Sequence, residues 1–97
     1  MLAPEAAIDL VKIWRYIKRQ SGEAMADRVE AAIREQIVFL AANPGTGHWR
    51  KDLTDEPVRF SLVYSYLIVY RPTKKPLQIV AVLQARRDVE QILKDRL

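Results

Sequence analysis

The amino-acid sequence predicts an α+β protein in which an N-terminal antiparallel helix hairpin packs on a three-stranded antiparallel sheet, followed by a short C-terminal helix. Three observations predict this fold. Two segments with helical apolar periodicity come first, three short segments rich in β-branched and aromatic residues follow, and a helix-capping pattern precedes the last segment. A length of 97 residues fits one domain, which we expect to span residues 1–97.

The first half of the chain predicts two helices. Pro4 suits a first helical position, because its missing N–H is not needed there, and the first helix is expected over residues 4–19. Ser21 is a candidate N-cap for a second helix over residues 23–42, which ends before an Asn-Pro-Gly sequence. The apolar side chains expected to face a common core are Ala7, Leu10, Val11, Trp14 and Ile17 in the first helix, and Met25, Val29, Ala32, Ile33, Phe39 and Leu40 in the second.

The second half predicts a loop, a sheet and a final helix. The loop, residues 43–57, is long for a simple connection, which favours a functional role. In it, Trp49 either anchors the loop on the core or lies exposed as a partner contact. Asp88 and Gln91 form a capping box for a helix over residues 89–96. The three predicted strands cover residues 58–63, 66–71 and 77–83.

A two-residue turn at Tyr64-Ser65 would pair Arg59 with Tyr70 and Phe60 with Val69. One face of the sheet then carries Phe60, Leu62, Leu67 and Val69 with Leu77, Ile79, Ala81 and Leu83, and we expect it to pack on the helices. The other face carries Arg59, Ser61, Val63, Tyr66, Ile68 and Tyr70 with Gln78, Val80, Val82 and Gln84. Its mixed character predicts an exposed docking surface. The alternative is that the C-terminal helix covers part of this face and that Arg59 is a solvated edge residue.

Composition limits the available chemistry. The net charge of +4 arises entirely after residue 49, so a basic sheet half follows a neutral helical half and could meet a polyanion or an acidic partner. The chain has no cysteine and one histidine, His48, so we expect no disulfide, no metal site and no cofactor. No apolar stretch is long enough to cross a membrane, and the expected location is the cytoplasm.

Four motifs, in this order along the chain, carry a family resemblance. They are the Ala3-Pro4-Glu5-Ala6-Ala7-Ile8-Asp9-Leu10 helix start, the Leu40-Ala41-Ala42-Asn43-Pro44-Gly45-Thr46-Gly47 helix end, the Val58-Arg59 to Tyr66-Leu67-Ile68-Val69-Tyr70-Arg71 hairpin, and Val82-Leu83-Gln84-Ala85-Arg86-Arg87-Asp88. Together they resemble the RelE/ParE superfamily of bacterial toxins, and in particular its ParE (plasmid-stabilisation) branch.

The sequence departs from the pattern of this family in two ways. Only Met1 and Leu2 precede the first motif, where the family has an edge strand, so the sheet has four strands only if these residues form one. A partner strand could otherwise fill the open edge. Gln84-Ala85 replaces the family's common His-Gly.

The resemblance implies a toxin of a type II toxin–antitoxin module that acts by binding, inhibits DNA gyrase and is neutralised by its antitoxin. The antitoxin would be a ribbon-helix-helix or similar DNA-binding protein with a C-terminal tail. On this interpretation the target-binding residues are Arg59, Tyr66, Tyr70, Arg86 and Arg87. The antitoxin-binding residues are Trp14, Ile68, Val80 and Val82. Direct nucleic-acid binding is left open, and no membrane partner is expected.

Two alternatives remain. The first is a RelE-like, ribosome-dependent mRNA interferase with Arg59, Tyr70, Arg71 and Arg86 around the scissile phosphate. Arginine stabilises phosphate charge but stays protonated, tyrosine is a base only when strongly perturbed, and Gln84 cannot exchange protons, so a general base is hard to assign. The second alternative is a partner-binding module without toxicity.

Overall fold

The computed structural model describes residues 1–97 and shows the predicted order of elements. The helices are α1 (Pro4–Ser21), α2 (Glu23–Ala42) and α3 (Val89–Arg96), and the strands are β1 (Arg59–Val63), β2 (Tyr66–Arg71) and β3 (Gln78–Gln84). A short 3₁₀ turn, Pro44–Thr46, follows α2. The strands form one antiparallel sheet in the order β1-β2-β3, with the helix hairpin before it and α3 after it, so the predicted fold class is confirmed.

The junction of α1 and α2 differs from the prediction. Ser21 is the last residue of α1 and does not cap α2, so the predicted N-cap is wrong. Gly22 occupies the junction with φ of 92°, a conformation that costs glycine little because it has no Cβ. Its N–H donates to Lys18 O and its carbonyl accepts from Ala26 N, which joins the two helices through one residue.

The predicted register of the β1–β2 hairpin is confirmed. Arg59 pairs with Tyr70 and Phe60 with Val69, and Tyr64 takes a φ of 54° in the two-residue turn. The capping box is also confirmed in its first half, because the Asp88 carboxylate accepts a 3.2 Å hydrogen bond from Gln91 N at the start of α3.

The assignment of the two sheet faces is wrong. Tyr66, Ile68 and Tyr70, expected on an exposed face, pack beneath α1 and α2. The opposite face, expected beneath the helix hairpin, packs against α3 through a cluster comprising Val58, Phe60, Leu67, Val69, Val80, Ala81, Leu83, Val89 and Leu93. All residues of β2 except Arg71 are buried, because both faces of this central strand are covered. Only Leu62, at 61% exposure, remains open on the α3 face of β1.

A β-bulge changes the expected alternation in β3. Val69 pairs with Ala81 but Tyr70 pairs with Ile79, so Val80 is skipped in the ladder. As a result Ile79 joins the cluster beneath the helix hairpin, whereas Val80 joins the cluster beneath α3. Both assignments are the reverse of what strict alternation along this strand predicts.

The buried stripe of each helix agrees with the predicted one in part, since Leu10 and Ile17 in α1 and Val29, Ile33 and Leu40 in α2 are buried as expected. In α1 the buried residues are Ala6, Asp9, Leu10 and Ile17. In α2 they are Ala26, Val29, Ile33 and Leu40. Val11 and Phe39, expected in the core, are 47% and 48% exposed. Gln36, the polar residue within the second stripe, donates a 3.1 Å hydrogen bond to the buried Ser61 hydroxyl on β1.

The first three residues cover part of the outer edge of β3. Leu2 forms an isolated parallel bridge with Ile79, in which Ala3 N donates to Ile79 O at 2.9 Å and Ile79 N donates to Met1 O at 2.8 Å. The sheet therefore remains three-stranded, but its β3 edge is less open than expected. No helix of the chain is both long and apolar enough to span a membrane.

A buried carboxylate, Asp9, ties α1, β3 and α3 together. Its Oδ2 accepts a 2.9 Å hydrogen bond from Val82 N, at the outer edge of β3. Arg96, at the end of α3, donates to both Asp9 oxygens, at 2.6 and 2.7 Å. The hydrogen bond with Asp9 raises the pKa of Arg96 above its usual value, and Glu5 lies 3.6 Å from the Arg96 Nε. We call Asp9, Arg96 and Val82 N the Asp9 lock.

Replacing Arg96 with alanine should destabilise the protein by about 3 kcal/mol, because it leaves the buried Asp9 carboxylate without its ion-pair partner. Urea unfolding followed by circular dichroism measures this change. Arg34→Ala is the control, since the Arg34–Glu30 pair is 3.7 Å long and largely exposed, and its loss should cost about 0.5 kcal/mol or less. Equal midpoints for the two variants would contradict the role of the Asp9 lock.

Candidate functional site

The phenol of Tyr70 fixes the loop that follows α2. Tyr70 is fully buried beneath the helix hairpin, and its hydroxyl reaches the loop backbone. The hydroxyl accepts a hydrogen bond from Gly47 N at 2.9 Å and donates one to Pro44 O at 2.8 Å. Two backbone groups on either side of the loop bend are therefore bound by one rigid side chain, because the phenol ring has few rotamers to lose.

Further contacts hold the same loop against β1. Arg59 Nη1 donates a 2.7 Å hydrogen bond to Gly47 O. His48 forms an isolated antiparallel bridge with Phe60, with both N–H to carbonyl distances at 2.8 Å. Together with the Tyr70 hydroxyl, these contacts form what we call the loop clamp. Arg59 and Tyr70, predicted to contact a target, both have structural partners inside the protein.

Gly47 is required in the loop clamp for space, since its φ of −69° is open to any residue. A Cβ at this position would lie 2.8 Å from Tyr70 Cε1, and closer still to the hydroxyl oxygen. Such distances are shorter than van der Waals contact, so a side chain at residue 47 would displace the phenol. The close approach of the backbone to Tyr70 therefore depends on a glycine.

The clamped loop presents Trp49 to solvent. The indole is 46% exposed, with the Arg59 guanidinium 4.2 Å and the Lys51 ammonium 5.6 Å from the ring centroid. These distances are within the range of cation–π attraction. Of the two placements predicted for Trp49, the structure shows the exposed one, and a partner contact stays a prediction. Arg50, next to it, is turned toward Asp52 in a bidentate pair of 2.8 and 3.0 Å, which lowers the Asp52 pKa through the hydrogen bond.

A pocket of about 300 Å³ lies on the α3 side of this loop. We call it the loop pocket. Its lining combines three basic side chains with an apolar wall and consists of His48, Arg50, Leu53, Phe60, Leu62, Leu67, Ala85, Arg87 and Val89. His48 thus lines the same cavity as two guanidinium groups, those of Arg50 and Arg87.

A second concavity of about 360 Å³ lies between α1 and the end of β3. We call it the α1–β3 groove. Lys12 and Tyr16 line it from α1, and Tyr66 and Gln84 line it from the sheet. Burial, and to a smaller degree the neighbouring Tyr16, raises the pKa of Tyr66. The Gln84 amide donates to the Ser65 hydroxyl at 3.2 Å, while its Oε1 is buried without a hydrogen-bond partner.

The outer surface of α1 near Trp14 forms a third, shallower concavity of about 330 Å³ with α2. Trp14 donates a 2.8 Å hydrogen bond from Nε1 to Asp27 and lies 5.2 Å from the Lys18 ammonium. Val11 lines the same concavity, and Tyr16, 51% exposed, lies further along the helix. Exposed apolar and basic side chains therefore alternate along α1.

The predicted docking face of the sheet is buried, which corrects several site assignments. Tyr66, Ile68, Tyr70, Val80 and Val82 are each no more than 7% exposed. The helix hairpin or α3 covers most of each side chain, which leaves little surface for a partner, and Tyr66 and Val82 are open only where they line the α1–β3 groove. Among the predicted antitoxin-binding residues, only Trp14 lies at the surface, where it is half-buried. Arg86 and Arg87 are exposed, as the prediction requires.

The four residues predicted to surround a scissile phosphate do not form one site. Arg59, Tyr70 and Arg71 lie at one end of the β1–β2 pair, whereas Arg86 follows the end of β3 that pairs with Tyr66. Tyr66 and Tyr70 are four residues apart on β2, which separates the two ends by roughly 13 Å. In addition, Tyr70 is buried in the loop clamp.

Sequence reasoning missed Asp9, Arg96 and Gly47. A signal for Asp9 was present, because it is an acidic residue one helical turn from the buried Ala6 and lies within the first family motif. Gly47 was the last residue of the second family motif but was given no structural role, and Arg96 had no signal beyond its charge. No three His, Cys, Asp or Glu side chains lie together as metal ligands would.

Comparisons with known proteins identify the chain. Residues 1–89 match the family model described as "ParE toxin of type II toxin-antitoxin system, parDE". This match places the chain in the class of toxins that belong to type II toxin–antitoxin systems. A curated Escherichia coli protein named "Toxin ParE" is 31% identical over all 97 residues and over 94% of its own length. The chain belongs to the ParE toxin family. In a solved structure described as "Chromosomal ParDE TA system from P. aeruginosa", a chain shares the fold, with a TM-score of 0.72, 24% identity and coverage of 88% of this chain and 92% of that one.

The loop clamp predicts non-additive effects of substitution. Gly47→Ala and Tyr70→Phe should each cost about 1–3 kcal/mol, the first through the clash with the phenol and the second through two lost hydrogen bonds. The double variant should be less destabilised than the sum, because the hydroxyl that causes the tightest clash is gone. Chemical denaturation of the three variants measures the coupling. Additive free energies would show that Gly47 and Tyr70 do not interact.

Burial of Tyr66 predicts a dependence of stability on alkaline pH. Because its folded-state pKa is raised above the usual value of 10.0, the contribution of the neutral phenol to stability is complete below pH 10.0. It is lost as the pH rises through the higher folded-state pKa, since the unfolded chain releases this proton first. Tyr66→Phe should therefore lose less stability than the parent protein between about pH 9 and pH 11. Urea unfolding at each pH measures the free energy of unfolding of both proteins. An equal loss of stability in the two proteins across this range would contradict the predicted effect.

Proposed function

We propose that this ParE-family toxin acts by binding DNA gyrase and that a cognate antitoxin neutralises it. The observation that supports the proposal most is the match of the ParE toxin model over residues 1–89, together with the related E. coli toxin. Action on gyrase would take place in the cytoplasm. The toxin would need no catalytic group of its own, because it would work by occupying a surface of its target.

The distribution of side chains supports a binding mechanism. The residues predicted from the sequence to hold a scissile phosphate are divided between two ends of the sheet, and the buried Tyr70 serves the loop clamp. The exposed groups are of a kind that protein interfaces use. Trp49 is a tryptophan with cations beside it, and tryptophan and arginine are enriched among the residues that dominate binding energy.

The antitoxin proposal now rests on α1. The similar P. aeruginosa chain comes from a ParDE toxin–antitoxin system, which supports an antitoxin partner for this chain as well. Val11 and Tyr16 are exposed apolar groups on α1, and Lys12 and Arg15 lie beside them. This surface suits a tail that alternates apolar and acidic residues, since charge would steer it and apolar contacts would hold it. Trp14 remains a proposed contact, whereas Ile68, Val80 and Val82 would act only by supporting the helices from below.

A second candidate function is RNA cleavage at the loop pocket. His48, Arg50 and Arg87 line one cavity, so a group that can exchange protons lies near two that can stabilise phosphate charge. This set differs from the residues predicted from the sequence. It would need no contribution from Tyr70 or Gln84.

Purified toxin should inhibit supercoiling by purified DNA gyrase and leave mRNA intact in a ribosome-programmed cleavage assay. Inhibition should disappear when the cognate antitoxin is added in equimolar amount. The growth of cells that express the toxin should stop and recover when the antitoxin is co-expressed.

Other outcomes would redirect the assignment. Site-specific mRNA cuts that vanish in His48→Ala, with supercoiling unaffected, would replace the gyrase proposal with RNA cleavage. Normal growth on full expression of folded protein would contradict toxicity and favour a partner-binding module.

A further inference from the structure

Trp49 combines a fixed backbone with an exposed side chain. The Tyr70 hydroxyl, Arg59 and the bridge to Phe60 hold the two residues that precede it. A tryptophan that served only to pack the loop would be expected in the interior, yet nearly half of this indole is exposed to solvent. The loop clamp thus prepares the ring for binding, because little loop entropy remains to be lost on contact with a partner.

The two cations beside the indole keep free hydrogen-bonding capacity. Arg59 uses only Nη1, on Gly47 O, so its other N–H groups have no protein acceptor. Lys51 forms no ion pair, because the nearby Asp52 carboxylate is turned toward Arg50. A guanidinium and an ammonium without anionic partners therefore flank an exposed aromatic ring.

We propose that Trp49, Arg59 and Lys51 form the contact by which the toxin holds a carboxylate-bearing segment of its protein target. We call this set the Trp49 contact, and the inference rests on the proposed function. The carboxylate binds the free N–H groups of Arg59 and the Lys51 ammonium, and an apolar side chain of the same segment covers the indole. Partial desolvation by the partner strengthens both the charge pairs and the cation–π interactions.

The surroundings of the Trp49 contact favour a protein segment over nucleic acid. Arg59 lies over one face of the indole, so that this face is not open to a stacking base. The loop from residue 50 to residue 57 holds two basic side chains, Arg50 and Lys51, against three acidic ones, Asp52, Asp55 and Glu56. A phosphate backbone would meet these carboxylates repeatedly, whereas a single carboxylate can bind between them.

The Trp49 contact lies apart from the surface proposed for the antitoxin. The sheet order is β1-β2-β3, and α1 packs against β3. The loop that carries Trp49 pairs with the opposite edge, through His48 and Phe60 of β1. Substitutions at Trp49 should therefore separate target binding from antitoxin binding, which a general loss of folding cannot do.

The experiment compares Trp49→Ala and Lys51→Glu with two matched controls. Phe39→Ala removes an aromatic ring of nearly equal exposure, 48% against 46%, that has no cation beside it. Arg28→Glu reverses one exposed charge on α2. Each protein is tested for growth arrest in cells, for inhibition of purified gyrase, for binding to purified antitoxin, and for thermal unfolding.

Both test variants should weaken growth arrest and gyrase inhibition by about tenfold or more, with unchanged antitoxin binding and unfolding temperature. Both controls should behave as the parent protein. The residual inhibition by Lys51→Glu should depend less on salt between about 50 and 200 mM than that of the parent, because a charge pair is missing.

Full growth arrest by Trp49→Ala would overturn the inference whatever the target is. The inference would also be overturned if Trp49→Ala lost antitoxin binding and unfolded at a lower temperature than the parent protein, since Trp49 would then have a structural role. Impaired binding of a single-stranded RNA or DNA oligonucleotide, in place of impaired gyrase binding, would assign the contact to nucleic acid.

If the parent protein arrests growth without inhibiting gyrase, only the identity of the target is wrong, and growth arrest still decides the role of Trp49. If the parent protein does not arrest growth, the inference fails with the proposed function.

Discussion

Coverage of the sheet on both faces is the constraint on which the rest of the structure depends. With helices above and below, a polar group that points from a strand into the interior is strongly stabilised by a hydrogen bond there, because an unpaired buried polar group costs several kcal/mol. Tyr70 finds its partners in the loop backbone, and Ser61 accepts from Gln36 on α2. The edge N–H of Val82 is satisfied by the Asp9 carboxylate, which in turn needs Arg96. The positions of the loop and of α3 follow from these pairings.

The element order and the strand register could be predicted because they depend on local signals. Helical periodicity, the two-residue turn and the Asp88 cap act within a few residues and are visible in the sequence. The choice of covered face could not be predicted in the same way. In β2, Leu67 and Val69 on one side are as apolar as Ile68 on the other, so the pattern of a central strand buried on both sides does not indicate which helices cover which face.

The candidate site was harder to predict than the fold because it depends on contacts between distant parts of the chain. Gly47 and Tyr70 are 23 residues apart, and Asp9 and Arg96 are 87 apart. The sequence singled out Tyr70 and Arg59 correctly as a pair of polar groups side by side. The sequence could not show that the backbone of the loop forms hydrogen bonds with Tyr70 and Arg59. Nor could it show that Trp49, on the same loop, is the aromatic residue that stays exposed. The bulge at Val80 likewise follows from packing on both faces and has no local signal.

The two outer edges of the sheet are partly covered, and this affects whether a second copy of the protein can pair with them. A bare strand edge invites a second copy to add its own strand, which is a common route to fibres. Here the backbone of residues 1–3 and the Asp9 side chain occupy the outer side of β3, and His48 occupies that of β1 at Phe60. Only short stretches near Leu62 and Gln84 are left on the two sides. We therefore expect this molecule to polymerise through its strands less readily than an open three-stranded sheet would.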